Sequence, residues 1–289
     1  MRPRHLLLWD ALTLSGPEDE KAWREWRERA DLNRLDRSSF QMLPLLSGKL
    51  DAWLAGDAQA SIILGICRRA WSQRQLALRA VHRAIEALER AGVDPVIVTG
   101  PLVWAELYWP SKAIRPVAVP DLLAAPAILA HALAAFKQAG WTRLDSRRNY
   151  LHLRSASGDQ VRLITSVAPM ADLPFVRASI PELRTVEVGG VTVSALPAEY
   201  ELITALAGHD DDAIDWRCDA ATICRAAHID WERVGSLSRW RSQARRRIAE
   251  LREWAPDEVP ANAIGSAGVL EHVAGLLRRT AARPRNLRS

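Results

Sequence analysis

The sequence predicts an α+β protein, a small mixed sheet set between an N-terminal helical arm and a C-terminal helical bundle. Three observations carry that prediction. Apolar residues recur at helical spacing through residues 17–91. Short β-branched runs bounded by glycine and proline follow over 93–195. Helical periodicity then returns from Pro197. The implied organisation is a helical region over 1–90, an α/β core over 91–195, a helical bundle over 196–280 and a basic tail over 281–289, whose arginines and Pro284 predict disorder.

Each element has its own signal. Pro17, Glu18, Asp19 and Glu20 put a proline and then acids in a first turn, which suits the positive end of a helix dipole. Leu43, Leu46, Leu50, Trp53 and Leu54 form a second helical stripe. A longer helix spans 61–91, with Ile62, Ile66, Leu76, Val81, Ile85 and Leu88 on its apolar face and Gly92 as its cap. Residues 93–98 read as a central strand, 101–108 as a brief helix, and 114–123 as an extended segment ending in a short strand at Asp121. An amphipathic helix covers 126–139 and is closed by Gly140. Segments 150–154 and 160–164 flank Ser157, Gly158 and Asp159 as a hairpin, and 185–188 and 191–194 flank Gly189 and Gly190 as another. Helices are expected at 197–208, 213–227, within 230–254, and at 266–280.

Composition bounds the setting. The chain has 289 residues, 48% of them hydrophobic, enough for a substantial core. No run approaches the roughly 18 apolar residues of a membrane span. The string LLLWDAL is short for a secretion signal and contains Asp10, so a cytoplasmic location is expected. Three cysteines, Cys67, Cys218 and Cys224, lack metal-ligand spacing and read as buried thiols. Lysine stands only at 21, 49, 112 and 137, so all but four of the 39 basic residues are arginine, as a GC-rich bacterial genome would produce. The net charge of +5 permits an anionic ligand without demanding one.

The most informative stretch is 96–123, VIVTGPLVWAELYWPSKAIRPVAVPDLL. Gly92, Val93, Asp94, Pro95 and the strand after them lead into Thr99, Gly100, Pro101 and Leu102. Arg115 and Pro116 then lead to Val119, Pro120 and Asp121. Later come Leu196, Pro197, Ala198 and Glu199, then His209, then Trp216, Arg217, Cys218 and Asp219, then Asp230, Trp231 and Glu232. In this order and spacing, over roughly residues 35–235, the chain resembles the uncharacterised nucleotidyltransferases, a branch of the minimal nucleotidyltransferase fold.

That resemblance implies a chemistry. In the family the turn reads Lys-Gly-Pro, the metal strand reads Arg-Pro, two residues, then Asp-x-Asp, and a later strand supplies a third aspartate. Carboxylates at i and i+2 of a strand share a face and, with the third, can hold magnesium ions against a nucleoside triphosphate. Here the lysine position is Thr99, the first aspartate is Val119, the second is kept as Asp121, and the third falls on Arg162. A cation at a ligand position reverses the local charge.

Several readings follow. Asp121 is either a remnant metal ligand or the partner of an arginine, Arg162 itself in the simplest case. Arg162 either stands in for the metal by gripping oxygens of an anion or fills a vacated pocket. Thr99 and Gly100 can present backbone N–H groups to a ligand, and Arg115 can touch it or orient the strand. The leading expectation is a degenerate nucleotidyltransferase that binds a nucleotide, peptide or protein partner in the old cleft. An active enzyme moving a nucleotidyl group to a small molecule or peptide would need Mg2+, an NTP and displaced carboxylates such as Glu106, Asp145 or Asp159. A nucleic-acid module would rest on the arginine-rich run 239–247, which reads more simply as a solvated helix face. His209, Asp210, Asp211 and Asp212 read as a helix start rather than a metal cluster. Asp219 with Arg217 reads as a helix–helix lock, His152 as a partly buried histidine, and the twelve tryptophans mostly as anchors.

Overall fold

In the computed structural model, residues 4–14, 16–93, 96–147, 150–168, 173–174, 182–207, 214–238, 242–261 and 263 are described. The expected helix over 266–280, the tail from 281, residues 239–241 and residues 209–212 lie outside the described residues.

The chain opens with α1 (Arg4–Thr13) and α2 (Pro17–Arg29), followed by the short α3 (Arg37–Met42) and α4 (Ser47–Trp53). The expected stripe over 43–54 is split, because a 3-10 turn at Leu43–Leu46 precedes α4 and Pro44 occupies its start. The long helix α5 (Ala60–Arg90) crosses behind the sheet. Its buried face is built from Ile63, Ile66, Ala70, Ala77, Ala80, Val81, Ala84 and Leu88. Ile62 and Leu76, expected on that face, are 37% and 51% exposed. The alanines displaced them: a small side chain lets the helix approach the sheet closely, so the buried stripe runs one step to the side of the bulky residues.

Among the described residues, β3 (Thr142–Arg147), β4 (Tyr150–Arg154), β5 (Gln160–Ile164), β2 (Asp121–Leu123), β1 (Ile97–Thr99), β9 (Val191–Ala195) and β8 (Arg184–Val188) lie side by side in that order in one sheet, and β6 (Ser166–Ala168) pairs with β7 (Leu173–Pro174) in another. The centre of the larger sheet is β1, β2 and β5; β2 runs antiparallel to β1 and parallel to β5. On one side β4 and β3 extend it as a meander, and on the other β9 and β8 form the second hairpin. Strand β3 has no counterpart among the sequence expectations, since Arg143, Asp145 and Arg147 break its apolar alternation. The strand at Asp121 begins there instead of ending there. Pro116 and Pro120 lack the N–H that a ladder needs, so the segment before Asp121 stays outside the sheet.

Between β1 and β2 lies α6 (Pro101–Leu107), and α7 (Leu129–Gln138) follows β2. The C-terminal helices are α8 (Ala198–Ala207), α9 (Trp216–Ala226), α10 (Trp231–Ser238) and α11 (Ser242–Trp254). Alternation along the strands sorts the core. Val98, Leu122 and Leu163 belong to the main buried cluster, which is continuous from Trp26 in the arm to Leu202 and Ile248 in the last helices. Ile97, Leu123 and Ile164 point the other way and meet Leu196 and Tyr200. The indole rings of Trp9 and Trp254 stack at 4.3 Å and so join α1 to α11.

Candidate functional site

Two residues beyond the apolar row of Ile97, Leu123 and Ile164, the same sheet face turns polar. Thr99 is in register with Asp121, Asp121 with Arg162, Arg162 with His152, and His152 with Asp145. Residues in register across a sheet stand side by side on one face, so these five form a transverse row. At its centre Arg162 donates from Nε to Asp121 Oδ1 at 2.6 Å and from Nη2 to Oδ2 at 3.1 Å, a two-pronged pair. Asp121 is 2% exposed. The Arg162 guanidinium also sits 5.9 Å from the Tyr150 ring centroid, and the buried His152 Nε2 has no hydrogen-bond partner.

Thr99 and Gly100 are drawn to a residue that the sequence reading passed over. Glu201 of α8 is fully buried and accepts three hydrogen bonds: from Thr99 Oγ1 at 2.8 Å, from the Gly100 N–H at 3.1 Å and from Trp104 Nε1 at 2.7 Å. Gly100 has φ 75°, a left-handed conformation that a side chain would strain, and this turn aims its N–H at the carboxylate. Burial pushes the Glu201 carboxyl up to about 7; its three donors pull against the rise and the Asp121 charge adds to it. The one sign of Glu201 in the sequence is an isolated acid among Tyr200, Leu202, Ile203 and Leu206.

Arg115 is 1% exposed and grips Asp219 of α9, Nε to Oδ1 at 2.8 Å and Nη2 to Oδ2 at 2.7 Å. Trp109 Nε1 adds a bond to the same Oδ1 at 2.9 Å, and the guanidinium lies 5.3 Å from the Trp104 ring centroid. Asp219 therefore locks α9 to the segment leading into β2 and does not pair with Arg217. Arg217 pairs with Asp215, whose side chain also caps α9. Glu199 accepts from the Asp230 N–H at 3.1 Å and so ties α8 to the start of α10.

A cavity of about 330 Å³ opens between this strand system and the helical arm. Arg162, Arg115 and Val119 line it from the sheet side, Arg37 and Gln41 from α3, and Gln73 from α5. Arg37 and Arg162, with Gln41 and Gln73, thus line a space that no lining carboxylate enters, while Arg115, bonded through Nε and Nη2 to Asp219 and through Nη1 to the Pro116 carbonyl, stays buried in its wall. Arg37, Gln41 and Gln73 were invisible as site residues in the sequence, because only the tertiary placement of α3 and α5 brings them to the same cavity as Arg162.

The other carboxylates considered for metal binding are engaged elsewhere. Glu106 pairs with Arg74 at 2.7 Å, and Asp159 accepts from Arg79 and Arg83 on α5. Asp145 on β3 is separated from Asp121 on β2 by two intervening strands. Among the described residues no three His, Cys, Asp or Glu side chains come together as a metal site. Magnesium takes six oxygen ligands in octahedral array. Asp121, bracketed by Val119 and held two-pronged by Arg162, does not fit that demand. The thiols are likewise quiet: burial raises Cys67 to about 11 and Cys224 to about 12. No helix among the described residues is long and apolar enough to cross a membrane.

No curated protein matches the chain. Among solved structures, an antigenic nucleotidyltransferase-like protein from Paracoccidioides brasiliensis is similar at 15% identity and a TM-score of 0.41, over 63% of this chain and 89% of that one. The family described as uncharacterised nucleotidyltransferase matches residues 49–249. That match covers more than half of the sequence, and the chain belongs to the uncharacterised nucleotidyltransferase family.

Proposed function

We propose that this protein binds the phosphate of a nucleotide in the cavity beside Asp121 and Arg162, without a metal ion and without transferring a nucleotidyl group. The observation that carries the reading is the lining of the cavity: Arg37, Arg115 and Arg162 with no carboxylate among them. A metal-dependent site needs carboxylates facing the ligand so that the cation can bridge them to phosphate oxygens. In this chain the positive charge is built into the protein. A guanidinium matches the geometry of phosphate oxygens, and one that is oriented by a carboxylate behind it is already in place when the anion arrives. Asp121 orients Arg162 in this way, whereas Arg115 stays buried in its pair with Asp219 and forms part of the wall.

The test is calorimetry of AMP, ADP and ATP in EDTA, paired with an assay for labelled nucleotidyl transfer to candidate acceptors. The reading predicts that at least one nucleotide binds in EDTA, that Arg37→Gln and Arg162→Gln each weaken binding, and that no transfer occurs. Transfer that Asp121→Asn abolishes would establish the active enzyme instead. Failure of every nucleotide to bind would leave the cavity to a peptide or protein partner.

A further inference from the structure

We infer that the occupant of the arginine-lined cavity is a compact phosphomonoester, one phosphate carried on a hydroxylated carbon, and not a triphosphate. The inference rests on the reading that this cavity binds phosphate. Three properties of the cavity point to it: its charge, its size and its neutral polar groups.

Charge comes first. Arg37, Arg115 and Arg162 contribute three positive charges, while Asp219 and Asp121 stand directly behind two of them at hydrogen-bond distance. Two carboxylates against three guanidiniums leave an excess of at most one positive charge. A phosphomonoester near neutral pH carries about −1.5 to −2. A triphosphate without its metal carries several negative charges more, and nothing in the cavity would neutralise them. Where a family member with an acidic site recruits metal to balance such a ligand, this site has no group to recruit it with.

Size agrees. A cavity of about 330 Å³ stands at the lower end of the roughly 300–1,000 Å³ span of ligand pockets. The neutral groups then define what the phosphate is attached to. Gln41 on α3 and Gln73 on α5 line the cavity from two helices, and each carboxamide both donates and accepts. Hydroxyl groups have the same dual character. No aromatic ring lines the cavity, so the ligand finds no stacking platform for a base. A hydroxylated carbon skeleton next to one phosphate satisfies both glutamines and the guanidiniums together.

The experiment is titration calorimetry in EDTA at fixed ionic strength, with AMP, ribose 5-phosphate, ATP and inorganic phosphate as probes. AMP and ribose 5-phosphate are expected to bind at least as tightly as ATP and at least fivefold more tightly than inorganic phosphate. Equal binding of AMP and ribose 5-phosphate identifies a sugar phosphate as the ligand type, and tighter AMP binding identifies a mononucleotide; both support the phosphomonoester. Arg37→Ala, at an exposed position, should weaken all the phosphates at least fivefold while leaving the urea midpoint within the range of a surface substitution. Gln73→Ala should weaken the two esters more than inorganic phosphate. ATP binding tenfold tighter than AMP would overturn the inference and leave the phosphate-binding reading intact. Inorganic phosphate matching the esters would overturn it as well, since the cavity would then be a bare anion site. If none of the probes binds, the reading and the inference fall together.

Discussion

Glu201 carries the sharpest consequence at the residue scale. Its folded value of about 7 lies above its ordinary 4.5, so the folded state holds the proton more tightly than the unfolded chain does. The stabilisation from this group is complete in acid and is lost as pH rises between about 4.5 and 7. Glu201→Gln can keep an oxygen toward Gly100 and Trp104 and turn its amide to Thr99. The variant should fold and show a flatter dependence of the urea midpoint on pH across that window. An unchanged slope would assign the pH dependence elsewhere. Arg162 makes a second residue-scale prediction. Arg162→Ala leaves Asp121 buried without its partner, which costs about 3–5 kcal/mol in urea unfolding. A cost below about 1 kcal/mol would mean that Asp121 is not committed to the pair.

At the scale of elements, the informative joint is between the segment entering β2 and α9. Arg115, Trp109 and Asp219 form a buried knot that links the sheet to the C-terminal helices. Asp219→Ala is therefore predicted to destabilise the protein by about 3–5 kcal/mol. Arg115→Met combined with Asp219→Leu should recover part of that loss, because two apolar side chains leave no buried charge behind. If the double variant is as unstable as Asp219→Ala alone, the knot is not held by its charges. The knot was half legible in the sequence. Arg115 and Asp219 were both picked out, yet they lie far apart in the chain, and the nearer Arg217 offered a tempting partner. Likewise β1, β8 and β9 could be read from their β-branched residues, and β4 and β5 from their alternation around the turn at Gly158, whereas the charged β3 could not. Strand β3 lies at the sheet edge with residues 142–146 exposed, so it has no buried face for an apolar alternation to mark.

For the whole molecule, family membership and the local chemistry pull in different directions. The strand order sets Thr99, Asp121 and Arg162 side by side at the centre of the sheet, the location the family motifs predict for metal chemistry. The substitutions at Val119 and Arg162 were readable in the sequence, and so was the reversal of charge, whereas the register that pairs Asp121 with Arg162 came from the sheet. The cavity was not, because its other wall comes from helices α3 and α5, whose placement depends on packing and not on any motif. What the tertiary structure adds is a set of guanidiniums around a space, two of them fixed from behind by carboxylates. The central claim is that these built-in cations have taken over the charge-balancing role of a metal. It is tested most directly by measuring nucleotide affinity in EDTA and in magnesium, for the natural chain and for the variant carrying Val119→Asp and Arg162→Asp. The account predicts that magnesium changes the affinity of the natural chain by less than about threefold, whereas the variant gains at least tenfold, about 1.4 kcal/mol. A tenfold gain with magnesium in the natural chain would contradict it.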